Sequence, residues 1–376
     1  MRYALILGVL FAATTANAQW EIQSAPTSAD LRGIHSLGNG IAWASGSDGA
    51  VLRTTDGGAH WQLCPTPPDA EKLDFRGIQA FDANTAIVMS TGRGPLSRLY
   101  KTTDACQSWK LVFTNPDAEG SWDALRFEPI NRHLIHHIQE GVLVGDPVRG
   151  HFVVYTSSDL GETWKPLTVK SPVARKGNEL FADSNSAADA VGDAGNLAFV
   201  SGGTGGSKLY HLVGGGLVLD TWMTLPSFEE TNLDFPHRTA SEGAFSVATR
   251  KVDQVTFDFM AVGGDYLKPD QQGSSVYLPA PSYSFFIRHQ KQIYPQTPPH
   301  GFRSAVAYDE AAKTWITVGP NGTDISTDDG RNWRALRPNP ALHEPADADR
   351  DWNALSLPFV VGPHGRIGRL RPTALK

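Results

Sequence analysis

Short apolar runs alternate along the chain with clusters of Gly, Pro, Asp, Ser and Thr, a pattern that predicts β-strands joined by tight turns. One segment shows the unit: the strand Ala50-Val51-Leu52-Arg53 runs into Thr54-Thr55-Asp56-Gly57-Gly58-Ala59-His60-Trp61, and a further strand starts at the Trp. The unit returns as Thr102-Thr103-Asp104-Ala105-Cys106-Gln107-Ser108-Trp109. It returns again as Ser157-Ser158-Asp159-Leu160-Gly161-Glu162-Thr163-Trp164, after the strand Phe152-Val153-Val154-Tyr155, and as Ser326-Thr327-Asp328-Asp329-Gly330-Arg331-Asn332-Trp333. A repeated S/T-x-D-x-(G/C)-x-x-W suits a hairpin turn. The hydroxyl and carboxylate accept from the turn's own N–H groups, Gly adopts positive φ, and the Trp buries a large area beside the next sheet.

This motif resembles the Asp-box, or BNR repeat, of sialidases, sortilin-type receptors and the propellers related to photosystem II assembly factors. The stretch from Leu31-Arg32-Gly33-Ile34 to Trp61 is most similar to the last group. The resemblance implies an all-β fold, a β-propeller, and is nearly silent about activity. Blades are counted from the tryptophans. Trp20, Trp61, Trp109, Trp164, Trp222 and Trp333 mark successive outer strands, and the long gap before Trp333 holds two blades, its missing marker near Phe286, where Pro281 replaces the turn Asp. After Trp333 only three strands remain (Asn353 to Leu357, Phe359 to Gly362, Arg366 to Leu370), whereas Trp20-Glu21-Ile22-Gln23 reads as an orphan outer strand. We therefore expect a seven-bladed β-propeller, residues 19–376, closed by its N-terminal strand.

Composition narrows the class. With 37 Gly, 25 Pro and only 19% charged residues the chain is turn-rich, and 10 Trp within 40% hydrophobic residues give it a substantial core. Lys and Arg (33) fall short of Asp and Glu (39), a net charge of -6 that excludes a strongly basic nucleic-acid binder. Residues 1–18 read as a secretory signal: Arg2, an apolar stretch from Leu5 to Ala13 too short to span a bilayer, and Ala16-Asn17-Ala18 as the small-x-small site, with cleavage after Ala18. That predicts a periplasmic or secreted protein, and no later apolar run approaches membrane-spanning length. The two cysteines, Cys64 and Cys106, have leave to pair or to stay apart in such a compartment.

Candidate chemistry follows from the fold. In each blade the first-to-second and third-to-fourth strand turns share one face, so Asp56, Asp104, Asp159 and Asp328, with Trp61, Trp109, Trp164 and Trp333, are expected to be structural and opposite the longer loops. Aligning the starts of the inner strands sets Arg32, Arg76, Asp123, Glu179, Gly243, Arg303 and Asn353 around the channel mouth, a cationic arc facing an acidic pair that suits an anionic ligand or carboxylate. The competing reading pairs each Arg with a loop acid such as Asp48, Asp146, Asp193 or Asp265 and makes it a staple between blades. Gly202-Gly203-Thr204-Gly205-Gly206 reads as a hairpin turn, not a phosphate loop. His133, His136 and His137 diverge on a turn and strand, and His343-Glu344-Pro345 lacks a zinc protease's second His, so no metal is expected. With no nucleophile elbow, Walker loop or quinoprotein motif, no cofactor is expected either. The leading function is a non-catalytic module that binds another protein and aids its assembly or stability, as the resemblance implies. A sialidase-type glycoside hydrolase or glycan-binding protein is the alternative: Phe75-Arg76-Gly77-Ile78 resembles the F-R-I-P element without its Pro, and no Tyr and Glu nucleophile pair can be placed.

Overall fold

The computed structural model of the chain describes residues 19–127, 141–191, 196–213, 227–253, 256–280, 291–340, 344–372 and 374–375. The expectations for the leader, for His133, His136 and His137, and for Asp193, Trp222, Pro281, Phe286 and His343 lie outside them.

Seven antiparallel sheets make up the molecule. Blade 1 runs, from inside outwards, Leu31–Gly38, Ile41–Gly46, Val51–Thr54 and Gln62–Leu63. Blades 2, 3, 4 and 6 repeat that order from inner strands Asp74–Ala80, Trp122–Phe127, Ala188–Val191 and Ala305–Asp309. Blade 5, from Glu242–Lys251, has three described strands, with Ile293 bridging to Tyr277 where the fourth would lie. In blade 7 the strands Ala354–Ser356, Phe359–Val361 and Ile367–Leu370 are completed by Trp20–Gln23, with Trp20 opposite Leu370 and Gln23 opposite Ile367. Each inner strand packs on that of the next blade and blade 7 on blade 1, so the ring closes and no blade is left with an unsupported face. The expected seven-bladed propeller, closed by its N-terminal strand, is the observed one.

The repeated turns explain themselves atom by atom. In the first, Thr54 Oγ1 donates to Asp56 Oδ1 at 2.9 Å and accepts the Gly58 N–H at 3.0 Å, while Asp56 Oδ1 accepts the His60 N–H at 3.0 Å. Thr102 with Asp104, Ser157 with Asp159, and Ser326 with Asp328 repeat this wiring. Hydrogen bonds to the ionised carboxylates outweigh the cost of desolvating them and hold Asp104, Asp159 and Asp328 below the usual range. Two consecutive residues of every turn have positive φ, the second being Gly58, Cys106, Gly161 or Gly330. The turn face is shared as expected: the Gly57 N–H donates to the Gly40 carbonyl, and that of Ala105 to the Asn84 carbonyl.

One expectation is corrected. The turn tryptophans pack on the preceding blade, not the next: Trp61 meets Phe359 of blade 7 edge-on at 5.6 Å, Trp333 Nε1 donates to Ser275 Oγ of blade 5, and Trp20 Nε1 donates to Thr323 Oγ1 of blade 6. Strand periodicity says that a Trp is buried without saying against which flanking sheet. Trp164 joins a core with Ile87, Met89 and Leu99 of blade 2. Trp109 is half-buried and donates to the Pro65 carbonyl. Cys64 and Cys106 form a disulfide, Cα to Cα 5.7 Å, that ties the outer edge of blade 1 to the turn of blade 2.

Candidate functional site

At the channel mouth, inner strands bulge. Blades 1, 2, 3 and 5 each shift register by one unpaired residue: Arg32, Arg76, Asp123 and Phe245. A bulge re-aims its side chain, so the displayed residue follows from this irregularity and not from regular alternation. Arg76 Nε donates to Asp74 Oδ2 at 2.7 Å and its Nη1 to the Ala182 carbonyl at 3.2 Å. Arg32 lies 3.8 Å from Asp74 Oδ2 and 3.9 Å from Asp183 Oδ1, too far for hydrogen bonds, and its buried Nε has no partner. Its side chain is 25% exposed. Arg32 therefore presents a guanidinium fork with unused donors beside a second, anchored one.

The opposite side is acidic. Asp123 is buried, and desolvation, reinforced by Asp146, pushes its carboxyl well above the usual range. Burial likewise raises Asp146 to about 6, against the pull of the Leu180 N–H that its Oδ1 accepts at 2.9 Å. Glu179 stands exposed beside them in the connection to blade 4 and bridges to Gly202.

Other expected ring members stand elsewhere. Arg303 is fully buried and does not face the channel: its Nε donates to Asp324 Oδ2 at 2.9 Å, its Nη2 pairs with the same oxygen, and its Nη1 donates to Asn321 Oδ1 at 2.6 Å. The reason is register. The second-strand glycines Gly46, Gly145 and Gly319 lie against the carbonyls of Asp30, Ser121 and Phe302, and two residues on from each come Arg32, Asp123 and Ser304. The alignment is thus one residue early at Arg303, and one residue turns a strand side chain to the other face. In blade 5 Gly263 lies against the Gly243 carbonyl, and two residues on comes the bulged Phe245, which takes the place expected for Gly243. Glu179 precedes the inner strand of blade 4, Ala188–Val191, instead of starting it. Asn353 keeps its place, donating through Nδ2 to the Leu31 carbonyl at 2.8 Å and joining blade 7 to blade 1. The acids that partner the arginines are Asp74, Asp183 and Asp324, not Asp48, Asp146 or Asp265.

Sequence reasoning also missed what fills the channel. Residues 182–186 cross it: Ser184 Oγ donates to the Ser304 carbonyl of blade 6, Asn185 exchanges hydrogen bonds with the N–H and carbonyl of Leu125 of blade 3, and the Ser186 carbonyl accepts from Val247 of blade 5. A cavity of about 390 Å³ remains below this crossing, lined by His35, Gln79, Arg126, Asp189 and Thr249 among others. Above it, Phe181 stacks on Phe245 with centroids 3.8 Å apart, and Tyr266, 47% exposed, packs against both. No periodic signal reveals these two features, because the crossing is irregular and Phe245 owes its direction to a bulge. Among the described residues no group of His, Cys, Asp and Glu is arranged to hold a metal ion, and no helix is long and apolar enough to cross a membrane.

The mouth is thus a shallow, plugged depression with a guanidinium pair, an acidic wall and an aromatic rim. No family model and no curated protein matches the chain. Solved structures do. YCF48 from Cyanidioschyzon merolae aligns with a TM-score of 0.61 at 16% identity, over 94% of this chain and 99% of that one. A structure of YCF48 bound to D1 peptide aligns with a TM-score of 0.58 at 16% identity, over 94% and 96%. The WD40 β-propeller domain of Doa1 aligns with a TM-score of 0.55 at 10% identity, over 95% and 97%. At such identities the likeness establishes the propeller fold alone.

Proposed function

We propose that this chain is an exported, non-catalytic propeller of the Asp-box kind, which binds a carboxylate-bearing segment of a partner protein across its channel mouth and thereby aids that partner's assembly or stability. The observation that carries the reading is Arg32, a partly exposed guanidinium without a hydrogen bond, held beside Arg76 on a surface closed beneath by residues 182–186. A plugged mouth suits a segment lying across it better than a small substrate enclosed within it. The similar YCF48 was solved with D1 peptide, which supports a peptide as the class of ligand. The Cys64–Cys106 disulfide accords with export to an oxidising compartment.

Peptides with free and with amidated C-termini test this. The wild type should prefer the free carboxylate, and Arg32→Ala should weaken that binding about ten-fold, on the scale of one charge-assisted hydrogen bond, and flatten its salt dependence. Arg32→Lys should rescue only in part, because an ammonium does not fork. Arg303→Ala, by stranding buried Asp324, should lower stability by about 3 to 5 kcal/mol instead. Equal binding of free and amidated peptides would end this reading.

A further inference from the structure

In blade 7 the third and fourth strands are not joined by a turn. The third ends at Leu370 and the fourth begins at Trp20, so two segments far apart in sequence meet where a repeated turn would stand. Gln19, directly before Trp20, is only 7% exposed and its carbonyl accepts the Arg371 N–H at 2.9 Å. Its own N–H donates to Glu344 Oε1, and its side-chain amide donates to the Arg337 carbonyl. Glu344 Oε2 accepts the Asn339 N–H at 2.6 Å, which fixes the carboxylate with one oxygen toward position 19. Gln19 Oε1 is buried there without a hydrogen-bond partner.

The small-x-small signature ends at Ala18, so cleavage after it would turn the very nitrogen that faces Glu344 from an amide into an α-amine. We propose that Glu344 is the receptor for the mature N-terminus. Removal of the leader creates an α-ammonium at Gln19 that pairs with Glu344 and latches the closing strand of blade 7 onto the connection from blade 6. An ammonium brings two more N–H groups than the amide, one of which can serve the unpartnered Gln19 Oε1. It also strengthens the existing contact, since both partners become charged. The latch has a chemical consequence. An N-terminal Gln cyclises when its neutral α-amine attacks its own side-chain carbonyl carbon; that C–N bond forms, the bond to the amide nitrogen breaks, and ammonia leaves with a proton from the amine. Pairing with Glu344 keeps the amine protonated, and Arg337 holds the leaving nitrogen, so the folded chain should retain Gln19.

The test uses the chain exported through its own leader, beside a second version with Gly-Ser inserted between Ala18 and Gln19, and Glu344→Gln in each. Intact mass should show the first beginning at Gln19. Glu344→Gln should lower Tm about 2 °C more in the chain starting at Gln19 than in the extended one. Glu344 raises the α-amine pKa above its ordinary value near about 8, so the excess should be complete below that pH and vanish as pH climbs through the raised value. Equal losses in both versions would reduce Glu344 to a backbone acceptor and overturn the proposal, as would a mature chain that starts elsewhere. Should Glu344→Gln not fold, the wild type alone decides: loss of one ammonia, read by mass, should be slower in the native protein than in urea, and equal rates would overturn the latch.

Discussion

Arg32 and Arg303 carry the same side chain at nominally aligned positions and meet opposite fates. Arg32 sits in a bulge and faces the mouth; Arg303 is one residue out of that register and becomes a buried strut between Asp324 and Asn321. Burial disfavours the charge of Arg303, and Asp324 restores it, so the pair is a structural unit whose breaking costs more than its making gains. Asp146 shows the same physics with a different sign. Its carboxyl titrates near 6 because burial disfavours the anion. The folded chain therefore binds a proton more tightly than the unfolded one between the ordinary carboxylate pKa and 6, and stability falls as pH rises through that window. Asp146→Asn, which retains an oxygen for the Leu180 N–H, should then raise stability at pH 7 by about 1 kcal/mol, the full shift being discounted for partial exposure, with little effect at pH 4. Urea denaturation at the two pH values checks this; an equal effect at both would assign the gain to something other than titration.

At the scale of the element, the repeated turn is a self-contained device. Its Ser or Thr hydroxyl and Asp carboxylate satisfy its N–H groups locally, and the chain passes through two left-handed residues to reverse direction. Three turns place Gly at the second left-handed position and one places Cys106, with φ 62°. A side chain there costs about 1 kcal/mol relative to Gly. What offsets the cost is the bond to Cys64, which closes a sequence separation of 42 residues and stabilises by about 3 to 4 kcal/mol in the chain-entropy account. With Cys64→Ala in both, Cys106→Gly should thus be more stable than Cys106→Ala by about 1 kcal/mol, and both should fall well below the wild type in urea melts. Were the Ala variant the more stable, backbone strain at this turn would be absent.

For the whole molecule, closure is the governing event. Blade 7 has its outermost strand only while Trp20–Gln23 pairs with Ile367–Leu370, and Trp20 is itself almost fully buried among Ile316, Val318 and Trp352. Deleting residues 19–27 should therefore destabilise the domain as a unit, with an earlier thermal transition and aggregation through the exposed edge of blade 7. A truncated chain that melts at the parent's temperature and stays monomeric would show that the third strand closes the ring unaided.

What the sequence by itself determined was whatever is written within a few residues: the repeated turns, whose hydroxyl, carboxylate, Gly and Trp act on one another locally, the strands flanking them, and the orphan strand at Trp20. Blade 7 was legible almost to the residue because its strands are short and bounded by turns. The mouth was legible in part. Arg32, Arg76, Asp123 and Asn353 were found by aligning strand starts, and that alignment holds only where the local register is regular. Tertiary structure alone decided that Arg303 turns inward, that Phe245 and not Gly243 faces the mouth, that residues 182–186 close the channel, and that the turn tryptophans Trp61, Trp164 and Trp333 lie on the preceding blade. It also paired Cys64 with Cys106, which sequence left open. These outcomes depend on bulges and on which neighbouring sheet supplies a partner, and such choices are settled by contacts between distant segments that no local pattern records.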